Sequence, residues 1–323
     1  MRKLIVFVAI ALCVITMNAS IKPEVLQTVS KYPGSIKKTE QLAERINKDF
    51  TSDEDKAAAI YTWIALNIEY DVKSFFSNKN TSVKYSYQSL EEKEAKEKEI
   101  RDKMVHTTLR KKKAVCEGYA YLYKAVSDLC GLESVIISGS SKNNYKLIGR
   151  EPKGTDHAWN AVKINNQWYL IDATWGAGSV DPSTRKFIKE FTDGYFMMPA
   201  DRFFSQHFPK DEEWSFVNMS AKDFAELPYY HHAYLLSDDE LITPEKGIIK
   251  KVKKGEIPFR LRTKKNIINL YFAFDRAKKS TLIEFTKKGD EVTFTVPVEN
   301  RKSGYFTVFA DGEALFSFKL RTK

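Results

Sequence analysis

Three residues of this chain have the types and the order that acyl transfer by a thiol requires. Cys116 stands at the start of the helix-like run AVCEGYAYLYKAV, while His157 and Asp172 lie in the hairpin-like stretch DHAWNAVKINNQWYLIDATWG. A cysteine nucleophile, a histidine base and a carboxylate that orients the histidine can form and break a covalent acyl intermediate. The sequence therefore predicts a catalytic triad of Cys116, His157 and Asp172.

The predicted helix start favours the reactivity of Cys116. A thiol attacks a carbonyl carbon only as the thiolate. The first turn of a helix offers unpaired N–H groups and the positive end of the helix dipole, and both stabilise negative charge. The same N–H groups can stabilise the oxyanion of a tetrahedral intermediate.

The spacing within the hairpin predicts the sheet face on which His157 and Asp172 lie. If Asn165-Asn166 forms a two-residue turn, His157 lies opposite Thr174 and is a diagonal neighbour of Asp172. Their backbones are then about 7 Å apart on one face, within reach of a side-chain hydrogen bond. A three-residue loop would instead place the two side chains on opposite faces.

The cysteine spacing predicts a free thiol. Cys116 and Cys130 lie on one predicted helix, roughly 21 Å apart at 1.5 Å per residue. A disulfide requires Cα atoms within about 7 Å, so these two residues cannot pair. Taken alone, Cys116 would more often be a buried apolar residue, and His157 a structural histidine. The combination of the three residues favours catalysis.

The remaining candidates for chemistry are weak. Cys130 is expected in the core, His231-His232 on the surface, and His106 and His207 are expected to have no role. No CxxC, HExxH or similar spacing predicts a metal site. No cofactor and no nucleic-acid motif are indicated.

The N-terminus has the layout of a secretory signal peptide. Arg2 and Lys3 precede an apolar run from Leu4 to Ile15, and Ala19 is a small residue suited to cleavage. The sequence predicts that residues 1–19 are removed and that the protein is secreted, periplasmic or on the cell surface. An uncleaved N-terminal anchor is the alternative, and no other segment is apolar enough to span a membrane.

The rest of the chain predicts an α+β fold in two domains. Residues 20–232 combine helices with the Cys116 helix and an antiparallel sheet, with residues 74–87 as a loop and 89–113 as an exposed helix. Residues 237–323 contain seven short alternating apolar runs, which favour an antiparallel β-sandwich of immunoglobulin-like type. Asp311-Gly312 is a strong hairpin turn within it.

The net charge of +10 is concentrated near the C-terminus, where residues 238–323 contain 19 lysines and arginines against 12 acidic residues. Such a surface could contact anionic glycans or a cell surface, although an ordinary solvated surface would look the same.

Four segments together resemble the transglutaminase-like superfamily, whose core is papain-like, and within it the branch related to kyphoscoliosis peptidase and to cytokinesis proteins with such a domain. They are KAAAIYTWIALNIEYD, AVCEGYA, DHAWNAV with WYLIDATWG, and YFMMPADRFFSQHFPKDEEW. The resemblance implies that Cys116 is the nucleophile, His157 the general base and acid, and Asp172 the orienting carboxylate. It also implies a thioester intermediate that is passed to water or to an amine.

The favoured function is that of an exported cysteine peptidase acting on a peptide or protein substrate. A protein-glutamine transglutaminase or deamidase would use the same residues, and a non-enzymatic adhesion or assembly module is the third possibility. Loops 74–88 and 141–156 are expected to determine substrate preference.

Overall fold

The computed structural model describes residues 20–77, 86–181, 183–252, 255–298 and 301–322. The predicted signal peptide, residues 1–19, lies outside the described residues, so export remains a prediction. None of the described helices combines the length and the apolar character needed to cross a membrane.

Helices and short strands alternate through the first two thirds of the chain. The helices are α1 (Pro23–Ser30), α2 (Thr39–Asp49), α3 (Asp53–Asn67), α4 (Val72–Phe76), α5 (Leu90–Lys111), α6 (Cys116–Leu129), α7 (Ala173–Gly176), α8 (Ala200–Phe203), α9 (Ala221–Glu226) and α10 (His232–Leu235). The strands are β1 (Glu69–Tyr70), β2 (Lys113–Ala114), β3 (Ser134–Ser141), β4 (His157–Ile164), β5 (Gln167–Ile171), β6 (Gly178–Asp181), β7 (Lys186–Lys189), β8 (His207–Pro209) and β9 (Tyr229–Tyr230).

An antiparallel sheet in the order β5-β4-β3-β8 forms the centre of this region. Helix α6 packs across β3 and β4, with α2, α3 and α5 against its other sides. Helix α3 is buried along nearly its whole length, because apolar residues surround it on all sides. Helix α6 ends as predicted before Gly131, which has a φ of +76°.

The hairpin register predicted from the sequence is confirmed. Asn165 and Asn166 have positive φ angles of 49° and 64°, as a two-residue type I′ turn requires. The pairing of Asn160 with Ile171 and of Ala161 with Leu170 follows from that turn. The prediction that Asp172 lies on the second strand is wrong, however. The strand ends at Ile171, and Asp172 caps the short helix α7.

The prediction of a loop over residues 74–87 is also only partly correct. Helix α4 continues to Phe76, because the Asp71 side chain accepts hydrogen bonds from the backbone N–H and the hydroxyl of Ser74. Residues 78–85 lie outside the described residues. Helix α5 matches the prediction for 89–113, with Val105 and Leu109 buried near its C-terminal end.

The last part of the chain consists of strands. They are β10 (Glu240–Thr243), β11 (Ile248–Ile249), β12 (Glu256–Arg262), β13 (Leu270–Phe274), β14 (Thr281–Ile283), β15 (Phe285–Lys288), β16 (Glu291–Pro297), β17 (Ser303–Ala310) and β18 (Glu313–Arg321). They form two sheets, β10-β12-β16-β15 and β11-β18-β17-β13-β14, and β9 adds to the second sheet beside β18.

The two C-terminal sheets share one apolar core, as the predicted sandwich requires. Phe259 of the first sheet has its ring centroid 5.9 Å from that of Phe316 and 5.2 Å from that of Phe318, both in the second sheet. Asp311-Gly312 forms the predicted hairpin turn, with both φ angles positive. The expectation of a purely antiparallel arrangement is wrong at β11, which pairs parallel to β18.

Gly139 of β3 is packed too closely to accept a side chain. A Cβ at this position would overlap the carbonyl oxygen of Phe208 in β8 and lie 2.5 Å from the ring of Trp159. We expect Gly139→Ala to separate β8 from β3 and to lower the free energy of unfolding by roughly 1–3 kcal/mol, the usual cost of overpacking.

Urea unfolding followed by tryptophan fluorescence measures this change in the first region alone, because it contains all five tryptophans. The neighbouring Ser138→Ala, at an exposed position of the same strand, is the control and should leave the midpoint unchanged. Equal midpoints for Gly139→Ala and the control would contradict the close β3–β8 contact.

Candidate active site

Cys116 occupies the first residue of α6, directly after the short parallel pair β1–β2. Val115 provides no side-chain cap, and its carbonyl accepts the N–H groups of Gly118 and Tyr119. The N–H groups of Cys116 and Glu117 have no hydrogen-bond acceptor among the described residues. The thiol therefore lies beside free backbone donors at the positive end of a 14-residue helix.

Gly118 allows this helix start to approach its neighbours. A Cβ at Gly118 would lie 2.5 Å from the Cβ of Ala114 and 2.7 Å from the hydroxyl oxygen of Thr108 on α5. The close packing fixes the first turn of α6 against both α5 and β2, and with it the position of the thiol.

His157 and Asp172 form a buried hydrogen-bonded pair. His157 is the first residue of β4, and its Nε2 lies 2.7 Å from Oδ2 of Asp172. The other carboxylate oxygen, Oδ1, accepts the backbone N–H groups of Thr174 and Trp175 at 2.8 and 3.1 Å. Asp172 thus caps α7 and orients the imidazole with the same carboxylate.

The charges of the pair stabilise each other. Burial disfavours the protonated form of His157, but the charge of Asp172, the hydrogen bond to it and the hydrogen bond to Cys116 raise the pKa of His157 to about 10. Burial likewise disfavours ionised Asp172, and His157 and His207 nevertheless hold the pKa of that carboxyl well below its usual value. At neutral pH an imidazolium at His157 therefore shares the cavity with the thiol of Cys116.

His207 belongs to the same site, and the expectation that it has no role there is wrong. It is the first residue of β8, it is fully buried, and its Nε2 lies 3.0 Å from Oδ2 of Asp172. Its ring stacks on Phe203 with a centroid distance of 3.9 Å. The pairing of His207 with Ser141 of β3 holds it at the end of the sheet.

The partners of His207 constrain its protonation. Its Nε2 faces the carboxylate of Asp172 and its Nδ1 faces the carbonyl oxygen of Phe203, 3.0 Å away. Both oxygens can only accept hydrogen bonds, so only the doubly protonated ring can donate to both. Burial and the charge of His157 lower the pKa of His207, in opposition to this demand. We favour the imidazolium, because it alone leaves neither buried acceptor facing a lone pair.

The three side chains at Asp172 also satisfy the spacing of a metal site, since ligand atoms of His157, Asp172 and His207 all lie within 4.8 Å of one another. Both imidazole nitrogens, however, point at one carboxylate oxygen at hydrogen-bond distance. A metal ion would have to separate these pairs and take His157 away from Cys116. The arrangement therefore fits a hydrogen-bond network better than it fits a metal.

The thiol opens into a cavity of about 210 Å³, which Cys116 and His157 line together with Tyr70, Phe75 and six further described residues. Cys116 and His157 are each 8% exposed. The reactive groups are thus accessible from one side, whereas Asp172 and His207 lie behind them.

Loss of His207 should impair the site through Asp172. A hydrogen bond to a charged group is worth about 1.5–3 kcal/mol, which corresponds to a loss of roughly 10- to 150-fold in kcat/KM for His207→Ala. Because His207 lowers the pKa of Asp172, the acidic limb of the pH–rate profile should move to higher pH. His207→Gln retains a donor and should lose less activity.

His231→Gln is the matched control. His231 is also largely shielded from solvent and hydrogen-bonded, but its partner is Ser317 of β18. If His207→Ala lowers kcat/KM without moving the acidic limb, the residue acts on stability alone and not on Asp172.

Comparison with known proteins relates the segment that contains Cys116, His157 and Asp172 to a known family. Residues 40–173 match the Transglutaminase-like superfamily. The chain is 29% identical over 215 residues to the kyphoscoliosis peptidase of Mus musculus, covering 66% of this chain and 30% of that protein. It is 27% identical over 205 residues to the Lim and transglutaminase domain protein ltd-1 of Caenorhabditis elegans, covering 58% of this chain and 25% of that protein.

Among solved structures, the crystal structure of a TGase aligns with a TM-score of 0.29 and 15% identity, over 50% of this chain and 37% of that one. The chain matches less than a third of the length of either curated relative. The segment from residue 40 to residue 173, which contains Cys116, His157 and Asp172, belongs to the transglutaminase-like superfamily.

Proposed function

We propose that the protein is an exported thiol-dependent acyl-transfer enzyme, with hydrolysis of peptide or amide bonds as its reaction. The observation that carries the proposal is the buried pair of His157 and Asp172, 2.7 Å apart, placed behind a free thiol in an open cavity. A structural histidine would not need both a hydrogen bond to an ionised carboxylate and a place beside a cysteine at a helix start.

The proposed reaction uses these residues in turn. The thiolate of Cys116 attacks the substrate carbonyl carbon, and the developing oxyanion accepts the free N–H of Cys116. His157 then gives its proton to the departing amine as the C–N bond breaks, which leaves a thioester on Cys116. Neutral His157 takes a proton from an attacking water, and collapse of the second intermediate returns the thiolate and releases the carboxylic acid.

Tyr70 is the second oxyanion donor in this proposal. It lies beside Ala114 in the β1–β2 pair and lines the cavity of Cys116, and its hydroxyl has no hydrogen-bond partner within the described ranges. Burial and then the charge of Cys116 raise the pKa of the Tyr70 phenol, so the group stays protonated and can donate.

The division of the chain into two domains and the role of its basic surface remain proposals. Residues 20–232 would form the catalytic domain and residues 237–323 an immunoglobulin-like accessory domain, a division supported by two separate apolar cores. The basic surface of the accessory domain would contact anionic glycans at the cell surface.

Selective alkylation tests the nucleophile. Burial raises the pKa of Cys130 to about 11, and Cys130 lies in the core, so iodoacetamide at pH 7 should modify Cys116 at least roughly tenfold faster. Peptide mapping by mass spectrometry measures both rates in the same sample. The difference should vanish in urea, and His157→Gln should slow the labelling of Cys116. A Cys116 that reacts no faster than a free thiol, with or without His157, would refute the proposal.

Tyr70→Phe tests the oxyanion donor. The variant keeps the ring contacts with Phe75 and Phe187 but removes the hydroxyl, so kcat should fall by about 10²–10³-fold. Alkylation by iodoacetamide forms no oxyanion and should keep its rate. A parallel loss of alkylation and turnover would show that the hydroxyl supports the structure of the site and not the intermediate.

The acyl acceptor is measured separately. Incubation with a glutamine peptide and a labelled primary amine gives an incorporated label if the enzyme is a transglutaminase, and a new peptide terminus if it is a peptidase. Cys116→Ala is the control for both products.

A further inference from the structure

The cavity at Cys116 is acidic. Apart from the reacting pair, its charged lining residues are Glu117 and Asp156, and no lysine or arginine lines it within the described part of the chain. Glu117 is exposed and makes no hydrogen bond or ion pair with a described residue. Asp156 is held in place because its Oδ1 accepts the N–H of Ser141 at 2.6 Å, which leaves its Oδ2 without a described donor.

The two carboxylates outweigh the opposing field of the helix. The N-terminus of α6 contributes about half a positive charge, confined to the first turn, and the pair of Cys116 and His157 is neutral overall. Two full negative charges at the wall of the cavity therefore favour a cationic group beside the thiol. The oxyanion, by contrast, forms at the N–H groups themselves.

A second cavity of about 560 Å³ continues from the first, and the two share Ser74, Val115 and Glu117 in their lining. It follows α5, and Lys103, Lys111 and Lys113 line it without an ion-pair partner among the described residues.

Two carboxylates oppose these lysines. Lys96 pairs with Glu92 at 2.6 Å, so its charge is compensated. Beyond the shared Glu117, the acidic lining residues are Glu99 and Asp71, which keeps its charge although Ser74 donates a hydrogen bond to it. The three unpaired lysines exceed these two carboxylates by one positive charge, the opposite sign to the balance at the thiol.

We propose that the substrate is a polypeptide segment with a basic side chain next to the reactive carbonyl and an acidic side chain farther along, bound against α5. The inference rests on the proposed function and names its substrate class. Neighbouring cavities of opposite charge select both the residues of the substrate and the direction in which its chain lies.

Charged thiol reagents test the acidic cavity without a substrate. Three methanethiosulfonates are compared on Cys116: the cationic 2-aminoethyl, the anionic 2-sulfonatoethyl and the neutral methyl compound, each relative to its rate with free 2-mercaptoethanol. At low salt we expect the cationic reagent to be favoured over the anionic one by roughly tenfold. The preference should fall towards that of the free thiol in 1 M salt, where the Debye length is about 3 Å.

The double variant Glu117→Gln, Asp156→Asn should remove that preference, while Asn at 156 keeps the acceptor for Ser141. Glu133→Gln, at an exposed residue outside both cavities, is the control. Equal normalised rates for the two charged reagents, or a faster anionic one, would overturn the charge proposal. If the neutral reagent also reacts no faster than with a free thiol, the nucleophile itself fails, which is a different result.

A peptide library tests the second cavity, which follows α5. The peptide termini produced from a proteome-derived library by the wild-type protein are compared with those produced by Cys116→Ala. The wild-type termini should be enriched in a basic residue at the cleaved bond and in an acidic residue on one side of that bond. Lys103→Glu, Lys111→Glu should convert the acidic preference into a basic one. Lys98 lies on the same helix but outside the second cavity, and it is ion-paired with Asp102. Lys98→Glu is therefore the control and should leave the preference for an acidic residue unchanged. An unchanged preference in the double variant, or an equal change in the control, would overturn the proposal that the second cavity binds the acidic side chain of the substrate.

Discussion

The buried carboxylate of Asp172 is the group on which the site depends. A carboxylate without solvent is stable as an ion only if hydrogen bonds replace its hydration. Asp172 accepts four, from the backbone of Thr174 and Trp175 and from the rings of His157 and His207. The four donors come from three elements of the fold, so the carboxylate is satisfied only when α7, β4 and β8 are all in place. The catalytic geometry and the stability of this region are therefore consequences of the same contacts.

The strand that carries His207 is held from the side of the C-terminal sandwich. Gln206, the residue before it, donates to the carbonyl oxygen of Tyr230 at 2.6 Å, and Tyr230 pairs with β18. Arg202, at the start of the same segment, donates to the carbonyl oxygen of Asp239 at 2.7 Å. The sandwich thus supports the site from the side of Asp172 and His207, although none of the described side chains that line the thiol cavity belongs to it. This gives it a structural role whatever its basic surface contacts.

The parts of the site that are local in sequence could be predicted, and the others could not. His157 and Asp172 are joined by one hairpin, so the two-residue turn at Asn165-Asn166 fixes their relation. The alternation of apolar and polar residues predicts that Asp172 lies on a strand, and this prediction is wrong. An aspartate side chain can accept hydrogen bonds from the backbone N–H groups that follow it and so start a helix, and the alternation does not reveal this. His207 lies 35 residues from Asp172 and enters through a three-residue strand. So short a strand has no measurable periodicity, and only the tertiary pairing with β3 brings it to the site.

The second histidine also explains how so many charges can be buried together. In the proposed mechanism the charges of a Cys116 thiolate and a His157 imidazolium cancel, which would leave the carboxylate of Asp172 as an uncompensated buried charge. An imidazolium at His207 removes that imbalance, and its two hydrogen bonds, to Asp172 and to the carbonyl of Phe203, are the ones that only the protonated ring can make. His157 can then lose its proton to a leaving group and regain it while the carboxylate keeps a permanent partner. The charges of Cys116, His157, Asp172 and His207 therefore sum to zero. Of these four residues, only Cys116 and His157 line the cavity that the substrate enters.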